Sequence, residues 1–178
     1  DTVPAYIRSL LSDPYVMPLP WPLRPLLAAF IALQRSDMVK GHYRAIGGRS
    51  PLSTQTRALV EALRAELGGS LPVRYVFRHS PPPALEVLSR LAAANVRRVV
   101  AVPVYPQWSR STSGSALHAI ETAARRVRIE IRPVPAFPAA QGYIEALGEL
   151  TRPWLTPKSY VLISAHGIPM RLIRSGDP

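Results

Sequence analysis

The residues with the clearest chemical potential lie in Ser164-Ala165-His166-Gly167-Ile168-Pro169, directly after an apolar run. An imidazole is the side chain best suited to take a proton near neutral pH, and it also ligates metals. Gly167 allows close backbone approach or a positive φ, and Pro169 stiffens the exit. A histidine hydrogen-bonded within a loop accounts for the same sequence, so its place in the fold matters.

Three further stretches stand out. Tyr105-Pro106-Gln107-Trp108-Ser109-Arg110-Ser111-Thr112-Ser113-Gly114-Ser115 opens a helical pattern. Hydroxyls at a helix N-terminus can hold an anion, and they can equally form an elaborate N-cap. Tyr105 and Trp108 offer flat surfaces to a large aromatic ligand or to ordinary packing. Tyr43-Arg44-Ala45-Ile46-Gly47-Gly48-Arg49-Ser50-Pro51 joins two helical patterns. Its adjacent glycines imply positive φ or a backbone pressed close to something. It lacks the GxxxxGK[ST] spacing of a phosphate loop, and a helix C-cap with a turn explains it as well. In Phe77-Arg78-His79-Ser80, Arg78 can pair bidentately with a carboxylate or lie solvated. His42, His79 and His118 share no metal-ligand spacing, and Glu61, Glu66 and Glu86 read as solvated helix faces.

The elements that must position these residues alternate. Short apolar, β-branched or aromatic runs predict strands at Val73–Phe77, Arg98–Val104, Val127–Val134 and Tyr160–Ser164. Helical patterns fall at Pro4–Leu11, Leu23–Tyr43, Ser53–Leu67, Pro83–Ala94, Ser115–Arg126 and Gly142–Thr151, with Ser53 as an N-cap and Gly68-Gly69 as a stop. Pro14 to Pro25 is a stiff loop leading into the second helix. Strand–helix–strand repetition implies an α/β fold with a parallel sheet and helices on both faces. Ligands of such sheets bind beyond the carboxyl ends of the strands, where His166, Arg78 and the serine-rich stretch fall.

Composition narrows the classes. The chain of 178 residues is 47% apolar and long enough for one domain, with no repeat or internal boundary. It has no cysteine, which removes disulfides, cysteine zinc sites and cysteine-ligated clusters from this stretch and suits a reducing compartment. No apolar run reaches the roughly eighteen residues needed to span a bilayer; Leu26–Leu33 is the best candidate and is too short. A net charge of +11, carried by 20 Arg against 2 Lys, favours anionic partners, although arginine-rich codon usage explains scattered solvated charges. The chain starts without Met and stops in the turn-like Gly176-Asp177-Pro178, so 178 residues is read as a lower bound on the native length.

Taken in order, YRAIGGRSP, VFR, YPQWSRSTSGSAL, ISAHGIP and SGDP resemble the ferrochelatase family over nearly the whole chain, and LLSDPYVMPLP resembles its N-terminal region. The resemblance implies a chelatase-like domain over residues 1–178, one of two similar Rossmann-like halves. A first strand would precede Asp1 and the second half would follow Pro178. It implies insertion of Fe²⁺ into protoporphyrin IX to give haem, with His166 as proton acceptor, metal contact or both. Arg35 matches a cleft arginine that meets a propionate. Tyr43, Ser50, Arg78, Tyr105 and Ser111 match positions that line the porphyrin cleft, and Ile7 and Leu10 match its apolar lip.

Porphyrin and ferrous iron are then substrates, with no tightly bound cofactor. No iron–sulfur cluster is expected, since Arg110 stands where cluster-containing members have cysteine. A cytoplasmic bacterial enzyme is implied, with a peripheral membrane contact left open at the lip. Arg49 replaces a third glycine, His79-Ser80 a more aromatic pair, and Trp108 a tyrosine. The family's partner glutamate lies beyond Pro178, so the 178 residues by themselves are expected to be inactive. Competing readings are a coproporphyrin III ferrochelatase, a cobalt or sirohydrochlorin chelatase (which wants a second histidine), and a non-catalytic porphyrin or haem carrier. A nucleic-acid-binding domain would need an arginine stripe; the only doublets are Arg97-Arg98 and Arg125-Arg126, and no nucleic acid is expected.

Overall fold

The computed structural model describes residues 2–165, 167–174 and 176–177. Among them the helices are α1 (Val3–Leu11), α2 (Leu23–Ala45), α3 (Leu52–Glu66), α4 (Ala84–Ala93), α5 (Ser115–Val127), α6 (Gln141–Thr151) and α7 (Met170–Arg174). Two strands, β1 (Arg98–Ala101) and β2 (Glu130–Pro133), complete the regular structure, with a π-helical turn at Arg110–Gly114 ahead of α5 and a 3₁₀ turn at Arg152–Trp154.

The sheet is a parallel pair in which Arg98 faces Glu130 and Ala101 faces Pro133. Parallel neighbours need a crossover, and α5 supplies it. Leu88 of α4, Ala123 and Ala124 of α5 and Ile129 form the buried core, with Val99 and Ile131 of the strands packed against it. This is the expected α/β architecture, a parallel sheet flanked by helices, in a helix-rich form. Glu130 links the two strands at the surface: it accepts from Arg98 Nε of β1 at 3.2 Å, and from Arg132 Nε of its own strand at 2.8 Å. Those bonds lower its pKa below the ordinary carboxylate value.

All six sequence-predicted helices form, within a residue or two of the expected ends. The strands differ more. Arg98–Val104 and Val127–Val134 shorten to four residues each, and α5 takes Val127. Val73–Phe77 joins no ladder. The Val73 carbonyl is taken by Arg64 Nη2 at 2.7 Å and Arg74 Nη1 at 2.8 Å, and the Phe77 N–H donates to Pro82 at 3.0 Å. Tyr160–Ser164 also lies outside any ladder, with Tyr160 98% and Leu162 93% exposed. Strand propensity describes fit to a half-buried pleated surface, and among the described residues neither segment has a neighbouring strand to provide one.

In α2, Ala28, Ala32 and Ser36 recur every four residues and form its buried stripe, and α1 packs against this helix. The Ser36 hydroxyl donates back to the Ala32 carbonyl, which satisfies it within the helix. α2 ends at Gly47 and Gly48, with φ of +92° and +83° and open space where a Cβ would stand. The glycines therefore serve a C-cap, the Gly48 N–H donating to the Tyr43 carbonyl at 2.7 Å. α3 begins one residue ahead of the expected Ser53 cap, and the Leu52 N–H is met by Ser50 Oγ at 3.2 Å.

Candidate active site

Asp13 follows α1 in the turn Ser12-Asp13-Pro14, and its side chain is wholly buried. A carboxylate removed from water must be met by donors. Its Oδ1 accepts the Tyr15 N–H at 2.9 Å, an Asx-type turn. Its Oδ2 accepts the Ser115 hydroxyl and lies 2.7 Å from Arg78 Nη2. Arg78 Nε donates in turn to Ser115 Oγ at 2.8 Å. One buried group thus joins the end of α1, the segment after Phe77 and the first residue of α5.

His79 sits on the same node. Its Nδ1 is 3.2 Å from Ser9 Oγ, its Nε2 is 3.8 Å from Asp13 Oδ2, and its ring meets Tyr6 edge-on at 6.4 Å between centroids. Burial lowers the His79 pKa, the neighbouring Arg78 cation adds to this, and Asp13 opposes it. The imidazole is therefore held neutral at neutral pH.

Tyr6 leads to the two tyrosines expected in the site. Its pKa is raised by burial first, then by the nearby Tyr43 and Tyr105 hydroxyls. Tyr43 also lines a cavity of about 310 Å³ with Val39, His42 and Ile46. Arg35, exposed on α2, precedes Val39 by one turn and shares its stripe with His42 and Ile46. A cation, aromatic surface and apolar side chains thus occur along one stripe of α2.

The serine-rich stretch is tied to itself. Ser109 Oγ lies 3.2 Å from Ser111 Oγ and 2.9 Å from Thr112 Oγ1, and the Gly114 N–H donates to the Ser109 carbonyl at 3.0 Å. The anion at this helix start is the chain's own: the Arg110 N–H donates to Asp177 Oδ1 at 2.8 Å. Trp108 lies against Gly114, where its ring atom Cζ2 would be 3.5 Å from an added Cβ. Arg110 stacks over the Tyr15 ring at 5.6 Å, and Tyr15 lies 5.1 Å from the His118 ring.

Of the residues expected in the site, Arg78 is anchored by Asp13 and Ser115. Tyr43 lines the α2 cavity beside His42, and Tyr105 follows β1. Ser50 Oγ accepts the Leu52 N–H at the start of α3, and Ser111 is engaged in the serine-rich turn. His166 lies outside the described residues. Sequence reasoning did not single out Asp13 or Tyr6, and it placed Ser115 and Asp177 only within longer motifs. Asp13 had a signal in its place before Pro14, a turn-forming pair, and Ser115 in its place at a helix start; Tyr6 carries no local mark.

Among relatives, the chain is 37% identical over 179 residues to the ferrochelatase of Pseudomonas aeruginosa (strain UCBPP-PA14), covering 98% of this chain and 52% of that protein. It is 35% identical to the Pseudomonas entomophila (strain L48) ferrochelatase, covering 97% of this chain and 52% of the relative. With the Aquifex aeolicus (strain VF5) ferrochelatase the identity is 32%, over 100% of this chain and 59% of the relative. The chain therefore spans about half the length of the curated relatives it matches. The ferrochelatase family's sequence profile matches residues 1–178 without interruption, and the chain belongs to the ferrochelatase family.

Proposed function

We propose that this chain forms one half of a ferrochelatase that inserts Fe²⁺ into protoporphyrin IX to give haem. The observation that carries the reading is the family match along residues 1–178, with a histidine, His166, in the Ser-Ala-His-Gly sequence. Metal insertion releases two pyrrole N–H protons, so a base facing the ring is required. His166 takes that role, contacts the entering metal, or both. Arg35 meets a propionate, while Tyr43, Tyr105, Ser50, Arg78 and Ser111 line the porphyrin. The cavity lined by Val39, His42, Tyr43 and Ile46, one turn from Arg35, supports a flat, apolar, acidic ligand at this face.

The second half of the site, including a glutamate across the ring, comes from sequence matching the other half of the relatives. Iron is a substrate here, and no resident cofactor is needed. Arg110 and the absence of cysteine from these residues speak against a cluster held by them. The enzyme works in the bacterial cytoplasm, with any membrane contact peripheral and through the Ile7–Leu10 lip, and without nucleic acid. No helix among the described residues is long and apolar enough to cross a membrane.

Anaerobic Fe²⁺ insertion into protoporphyrin IX by the complete gene product tests this. Haem formation that is abolished by His166→Ala is expected, and porphyrin binding without insertion would favour a carrier. Turnover by the 178 residues alone at the rate of the complete protein would overturn the two-half arrangement. Side-by-side turnover of protoporphyrin IX and coproporphyrin III assigns the substrate, with protoporphyrin expected to be faster.

A further inference from the structure

We propose that Asp13 is a positioning residue for Arg78: it fixes one edge of the guanidinium so that the other is presented to a substrate carboxylate. The inference rests on the functional reading above and extends it to how the site reads the acidic edge of a porphyrin.

Two of the three guanidinium nitrogens are committed inward, Nη2 to Asp13 and Nε to Ser115. Among the described residues Nη1 enters no hydrogen bond, and the Arg78 side chain remains 29% exposed. A planar guanidinium held at two nitrogens keeps no rotational freedom, so its third is fixed in direction. The carboxylate holding it is itself fixed by the Tyr15 N–H and the Ser115 hydroxyl. Next to Arg78, His79 packs edge-on against Tyr6. The partly exposed arginine therefore stands next in sequence to an aromatic pair, His79 and Tyr6.

A stabilising role alone explains this less well. Buried ion pairs contribute little net stability compared with apolar replacements, and their better-attested value is in specifying geometry. A half-open arginine whose inner edge is fully matched has the form of a prepared anion receptor.

The test compares protoporphyrin IX with its dimethyl ester, in detergent, for binding to the complete gene product. Asp13→Asn is expected to weaken binding of the diacid, and raise its KM, about tenfold. Binding of the diester should stay within about twofold. Arg78→Ala should do the same, and the double variant should add nothing further. Equal losses for acid and ester, or additive losses in the double variant, would overturn the inference. Should Asp13→Asn fail to fold by circular dichroism, Ser115→Ala carries the test. It removes the Nε anchor and should give a smaller loss confined to the diacid, and a loss shared by the diester would again overturn it. A wild-type protein that neither binds porphyrin nor inserts iron would overturn the functional reading itself. Normal insertion with no acid–ester discrimination in the variants would overturn only the role of Asp13.

Discussion

The backbone N–H of Arg110 donates to the carboxylate of Asp177 at 2.8 Å, across 67 residues of sequence. Asp177 is 3% exposed, so the helix that opens the serine-rich turn is capped by a buried acid from the far end of the chain. Asp177→Ala leaves that N–H without this acceptor and should cost about 1–2 kcal/mol in urea denaturation. Asp177→Asn keeps an acceptor oxygen and should cost less. Trp108, packed at Gly114, reports the change by fluorescence. Equal stability of wild type and Asp177→Ala would refute the capping role.

His79 should make stability pH-dependent. Its pKa is lowered in the fold, so the unfolded chain binds the proton more readily. The stabilisation is fully present above the ordinary histidine value of 6.5 and is lost as pH falls below it, through the lowered value of the folded state. Thermal midpoints of wild type and His79→Phe, compared from pH 7.5 down to 5, should converge or cross as acid removes the wild-type advantage. Parallel curves would show that His79 does not titrate differently in the two states.

The core predicts a contrast between two leucines. Leu88 is 4% exposed between α4, α5 and the sheet, whereas Leu33 on α2 is 80% exposed. Leu88→Ala should destabilise by about 2–5 kcal/mol, and Leu33→Ala by no more than about 0.5 kcal/mol. Chemical denaturation of the two variants measures both. A comparable loss at Leu33 would mean that the α2 surface is covered in solution.

Arg128 ends α5 in the left-handed region, with φ of 56° and ψ of 43°. A side chain there costs about 1 kcal/mol relative to glycine, partly offset by the greater freedom of glycine in the unfolded chain. Arg128→Gly should raise stability by about 0.5 kcal/mol and Arg128→Val should lower it. The order of their thermal midpoints decides the matter.

The helices were legible because their signal is local. Val60, Leu63 and Leu67 mark one face of a helix wherever it lies, and Gly47-Gly48 allows the positive φ that ends α2. The family was legible for a related reason: the order of short motifs survives without knowledge of what they touch. Strands were only half legible. Val73–Phe77 and Arg98–Ala101 look alike as sequences, yet only the second meets a parallel neighbour. A strand is a relation between two segments, and its propensity says nothing about whether the second is present.

For the site, sequence by itself determined which residue types stand where: Tyr43 at the end of a helical pattern, and Arg78, Tyr105 and the histidine at 166 after apolar runs. Tertiary structure alone decided that Asp13 and Ser115 anchor Arg78, that Tyr6 packs on His79, and that Asp177 caps the helix start at Arg110. Asp13 and Ser115 are 102 residues apart. No periodicity links them; they meet because a buried carboxylate, once out of water, must be satisfied by whatever donors the packed helices bring to it.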